Sequence, residues 1–66
     1  MMNARKIRIH YPWQKTPIRG GFFVPTLKLD EIKEDGLRAA VFLKLRGKAE
    51  FVEKDGRLGV WFTRVR

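Results

Sequence analysis

Three side chains able to carry positive charge stand at every second position near the start of the chain: Lys6, Arg8 and His10. On an extended strand such residues share one face, with neighbours about 6.6 Å apart. That pitch suits the phosphates of an extended nucleic-acid strand, and each cation seated on a phosphate releases counterions. Lys15 and Arg19 follow them, and Arg64 and Arg66 come at the other end. Six rings, Tyr11, Trp13, Phe22, Phe23, Trp61 and Phe62, are interleaved with these cations. Aromatic rings on a basic sheet stack unpaired bases, at about 1–3 kcal/mol per base. A short chain needs most of its rings inside, so Phe22, Phe42, Phe51 and Phe62 are assigned to the core. Trp13, in a loop among prolines and Lys15, is expected at the surface. The candidate nucleic-acid-binding set is therefore Lys6, Arg8, His10, Trp13, Lys15, Arg19, Arg64 and Arg66. The competing account of the basic stripe is an ordinary solvated edge strand, where Lys and Arg prevent aggregation.

Other chemistry finds little support. The chain has no Cys and no Ser, so the thiol and serine nucleophiles are missing, as are disulfides and thiolate zinc sites. With His10 as its single histidine, one chain cannot build a multi-histidine metal site. As a general base His10 has no partner visible in the sequence, which makes it a rim residue. Asp30, Glu31, Glu34 and Asp35 resemble a divalent-cation cluster, but carboxylates before a helix more commonly balance its dipole. Gly20-Gly21 lacks the Lys-Ser/Thr and the helix that follow a phosphate-binding loop, and reads as turn chemistry. The expectation is a non-enzymatic protein with no cofactor and no metal.

The charge balance agrees with a polyanionic partner. The 66 residues hold fifteen Lys and Arg against seven Asp and Glu, a net charge of +8. Residues 1–28 contribute +6, residues 29–56 contribute −1 and residues 57–66 contribute +3. Excess charge at both ends of the chain suggests nucleic acid or an acidic protein surface. At 44% apolar residues the chain is too hydrophobic for a disordered basic tail. One domain, 1–66, is expected, with residues 1–4 outside its ordered part. Its core is thin enough to make a homodimer plausible. No apolar run reaches the roughly 20 residues of a membrane helix, and no apolar stretch follows the basic N-terminus, which predicts a cytoplasmic protein.

The elements that position these residues follow from periodicity. Ile7, Ile9 and Tyr11 alternate with Lys6, Arg8 and His10, predicting a strand over Arg5–Tyr11 that Pro12 ends. Pro12–Gly21 reads as a loop, and Gly21–Pro25 as a short strand. A helix is predicted from Glu31 or Asp35 to Leu45, with Asp30 as its cap, Lys44 and Arg46 in its last turn and Gly47 as its stop. Gly36 counts against its interior by about 1 kcal/mol. Two strands, Ala49–Lys54 and Leu58–Val65, flank Asp55-Gly56, a favoured hairpin turn pair. Both faces of Leu58–Thr63 carry apolar groups, so the alternation does not select the buried one.

Several short segments carry a resemblance. Tyr11-Pro12-Trp13, Gly21-Phe22-Phe23-Val24-Pro25, Arg38-Ala39-Ala40, Gly47-Lys48-Ala49-Glu50-Phe51 and Gly59-Val60-Trp61 look like a group of small bacteriophage proteins of uncharacterised function. Those carry "YP", "GDSFFVP", "R-x-A", "G-x-x-F" and "G-x-R-V-W-R" in the same order. The Phe-Phe-Val-Pro segment is the sharpest match. Gly20-Gly21 departs from the Gly-Asp of that pattern, and Phe62-Thr63 extends the stretch after Trp61. The resemblance implies a phage-type origin, hence a host cytoplasm, and a small α+β order. It supplies no catalytic residue.

The expected fold is α+β, a mainly antiparallel sheet with one helix across one face, in the order ββαββ. The first and last strands are expected to adjoin, merging Lys6, Arg8, Arg64 and Arg66 into one patch. Two functions follow: a nucleic-acid-binding accessory protein holding the phosphate backbone, or a phage-type protein that modulates a host or defence protein through its basic surface.

Overall fold

Asp55 and Gly56 turn the chain as their residue types require. Both hold positive φ, 54° and 77°, the pair of left-handed residues a two-residue hairpin turn needs to match strand twist. The turn joins β2 (Gly47–Lys54) to β3 (Arg57–Arg64). They pair antiparallel from Lys54 opposite Arg57 to Gly47 opposite Arg64. On the other side of β3 lies β1 (Gly21–Pro25), also antiparallel, with Phe22 opposite Phe62 and Phe23 opposite Trp61. The result is a three-stranded sheet in the order β1-β3-β2. One helix, α1 (Leu29–Phe42), joins β1 to β2 across one face of it.

The computed structural model describes residues 10–66. Among them the order is β-α-β-β, which corrects the expected ββαββ. Residues 5–9 of the expected first strand lie outside the described residues, and His10 and Tyr11 join no strand. The proposed adjacency of Lys6 and Arg8 to the last strand falls outside with them.

The helix departs from expectation at both ends. It begins at Leu29 with Lys28 as its cap, and Asp30 belongs to the first turn beside Glu31. Thr26 organises the approach, its Oγ1 accepting the Lys28 N–H at 2.9 Å. The stop is Lys44, not Gly47. Lys44 takes φ 64°, its N–H donates to Val41 and the Leu45 N–H reaches back to Ala40, both at 2.8 Å. This is a Schellman closure with lysine where glycine is usual. Lys44 and Arg46 therefore lie beyond the helix, and Gly47 is the first residue of β2.

The core lies between the helix and the sheet. Val60 and Phe62 point from β3 toward α1 and are buried with Ala40 and Trp13. Phe22, Val24, Ile32, Leu37 and Leu45 pack around them. Trp13 is wholly buried, 0% exposed, with its ring edge-on to Phe22 at 5.0 Å and to Phe62 at 5.7 Å. Phe22 and Phe62 stack at 5.2 Å. The assignment of Phe42 and Phe51 to the core is corrected, since they are 85% and 47% exposed. Trp13 occupies the interior in their place. It reaches over Gly47, where any Cβ would overlap the indole.

Candidate nucleic-acid interface

The sheet and its connections bring cations from three segments to one end of the molecule. β1 and β2 begin there and β3 ends there. Beyond the strands the backbone pairing continues through arginines. The Arg19 N–H donates to the Arg64 carbonyl at 2.7 Å, and the Arg64 N–H returns to Gly20 at 2.8 Å. On the other side, the Val65 N–H donates to the Arg46 carbonyl at 2.8 Å, and Arg66 and Arg46 exchange longer bonds of 3.3 and 3.4 Å. Arg19, Arg46, Arg64 and Arg66 are thus tied together by main-chain hydrogen bonds. Segments 12–20, 43–48 and 63–66 hold seven Lys and Arg and no Asp or Glu. Their charges meet no carboxylate side chain of their own segments, and like charges so gathered favour an anion from solution.

Arg64 is half-buried and partly committed. Its Nη1 donates to the Thr16 carbonyl at 2.9 Å and its Nε to the Arg66 carbonyl at 3.2 Å. A guanidinium has five N–H donors, so the remainder stay available. Its first role is to hold the 12–20 loop against the sheet, and Thr16 Oγ1 braces that loop by donating to the Pro12 carbonyl at 2.6 Å. Arg19 and Arg66 are exposed. Arg19 holds φ 77°, a left-handed conformation that costs a non-glycine residue about 1–2 kcal/mol. Pairing with Arg64 on one side and the loop on the other keeps it there.

The remaining candidates divide. Lys15 and His10 are exposed and line an open hollow of about 370 Å³ with Tyr11, Pro12, Gln14 and Leu43. Tyr11 donates its hydroxyl to Asp35 Oδ2 at 2.8 Å. Burial first, and then the Asp35 carboxylate, raise its phenol well above the ordinary tyrosine range. Trp13 is corrected outright: buried, with its indole N–H donating to the Gly36 carbonyl at 2.9 Å, it offers no face to a base. Lys6 and Arg8 lie outside the described residues. Arg46 is absent from the candidate set because the expected helix, ending at Leu45, counts it as a last-turn cation. The pairing of its main chain with Val65 and Arg66 is a long-range contact with no local signature.

Among the described residues no three His, Asp or Glu side chains gather to hold a metal ion, and no helix is long and apolar enough to cross a membrane. Comparison with known proteins gives no match to a family model, a curated protein or a solved structure.

Proposed function

We propose that this chain is a small basic, non-enzymatic nucleic-acid-binding accessory protein that grips the phosphate backbone. The observation that carries the proposal is the meeting of Arg19, Arg46, Arg64 and Arg66 at one end of the sheet, tied by backbone hydrogen bonds. Lys15 is exposed on the loop that also carries Arg19. Arginine suits it, because a planar guanidinium presents paired donors to phosphate oxygens. The phage-like Phe22-Phe23-Val24-Pro25 segment is compatible with such a role in an infected cell. The test is retention on heparin, followed by mobility shifts with random DNA and random RNA at several salt concentrations. Binding that weakens steeply with salt supports the proposal, and no binding at low salt refutes it.

A second function, modulation of a host or defence protein, has one observation in its favour. Val41 and Phe42 are adjacent at the end of α1 and are 70% and 85% exposed, an apolar pair that a protein partner could cover. Capture of a protein partner, without binding to either nucleic acid at low salt, would favour it.

A further inference from the structure

The face of the sheet away from α1 has its own chemistry. Gly21 and Phe23 of β1, Gly59 and Trp61 of β3, and Lys48, Glu50 and Lys54 of β2 alternate with the core-facing residues and so point to this side. Phe23 and Trp61 are direct cross-strand partners and are half-exposed. Each ring leans diagonally over a glycine of the other strand. A Cβ at Gly59 would stand 2.6 Å from Phe23 Cζ, and one at Gly21 would stand 2.9 Å from Trp61 Cε2 and Cζ2. The far ends of both rings therefore lie down along the sheet, with one side against glycine and the other turned outward. Lys54 Nζ, 5.7 Å from the Trp61 ring centroid and 6.0 Å from that of Phe23, marks the outward side as one that attracts a cation.

We infer that Phe23 and Trp61 form a stacking platform for the unpaired bases of a single-stranded nucleic acid, an inference that rests on the nucleic-acid function proposed above. Charge complementarity selects this occupant. Lys48, Lys54 and Arg57 stand on the face at its two ends, against Glu50 as the one carboxylate among these strand positions. Six strand positions separate Lys48 from Lys54, roughly 20 Å at the rise of a β-strand, enough for a few nucleotides whose phosphates pass from one lysine to the other. A base stacked on the rings displaces the Lys54 ammonium, which becomes free to meet a phosphate. Duplex DNA keeps its bases stacked on one another and has none to offer.

The test titrates the whole chain with an oligodeoxyuridine and an oligouridine of about fifteen nucleotides, with a duplex of equal length, and with heparin. Both single strands should quench tryptophan emission, because Trp61 is accessible while Trp13 is buried. The Trp61→Phe variant should still bind but lose the quenching. Phe23→Leu with Trp61→Leu should lower single-strand affinity about ten-fold or more while leaving heparin binding unchanged. Quenching by either oligonucleotide supports the platform, and the tighter of the two names the sugar. Single strands that bind without quenching, or a duplex that binds as tightly, overturn it while leaving phosphate binding intact. If no polyanion binds, the phosphate-binding proposal falls with it. Should the double variant fail to fold, quenching of the unaltered chain decides.

Discussion

The indole N–H of Trp13 donates to the main-chain carbonyl of Gly36 at 2.9 Å, across 23 residues of sequence. That bond fastens the loop before β1 to the middle of α1, at a glycine whose missing side chain lets the helix lie close to Phe62. A Cβ there would overlap Phe62 at Cζ and Cε1.

Gly36→Ala separates the two accounts of this glycine. Helix propensity alone gives alanine an advantage of about 1 kcal/mol. Overpacking against Phe62, at the upper end of about 1–3 kcal/mol, should outweigh it and leave the variant less stable by about 1–2 kcal/mol. Urea denaturation checks this, and a stabilised variant would mean that the helix does not approach β3 as closely as described.

This position shows where the sequence stopped being legible. Asp55-Gly56 was readable because its conformation follows from its own two residue types. Gly21–Pro25 was readable because Pro25 ends a compact apolar run. The significance of Gly36, and the burial of Trp13, depend on residues far along the chain, and locally each looked like a defect or an exposed ring. Leu58–Thr63 was apolar on both faces for a physical reason: one face is core and the other holds Trp61 over glycine. Three of the four clustered arginines, Arg19, Arg64 and Arg66, were visible, and Arg46 joins them only through tertiary pairing.

Lys44 in the left-handed region offers a second test. Glycine takes that conformation without the Cβ penalty, so Lys44→Gly should stabilise the domain by about 1 kcal/mol. A thermal melt of the variant checks it. A drop in Tm would place the helix end elsewhere.

Gly56 should resist replacement for backbone reasons alone. Nothing lies within 4 Å of a Cβ added there, yet its φ is 77°. Gly56→Val should therefore cost about 1–2 kcal/mol without any clash, measurable by chemical denaturation. A cost near zero would contradict the turn.

Tyr11 is the single tyrosine of the chain, so its ionisation can be followed directly by ultraviolet absorbance. Its folded pKa is raised above the ordinary 10.0 by burial and by Asp35. A raised pKa contributes stability that is fully present below pH 10 and is lost as pH climbs from there toward the folded value. Stability should therefore fall above pH 10, and Tyr11→Phe should flatten that fall. Titration of the native protein at an ordinary tyrosine pH would contradict the Tyr11–Asp35 bond.

The most direct measurement of the central claim is the salt dependence of nucleic-acid affinity for two double variants of equal charge change. Arg19→Gln with Arg46→Gln removes half of the four-arginine cluster. Lys28→Gln with Arg38→Gln removes two exposed cations from the helix and its cap. Four arginines on four phosphates predict that log K falls with log salt with a slope of about −3 to −4. The first pair should make that slope shallower by nearly 2, and the second should leave it unchanged. Equal loss of slope in both pairs would show that net charge alone attracts the polyanion and that the arginine end is no site.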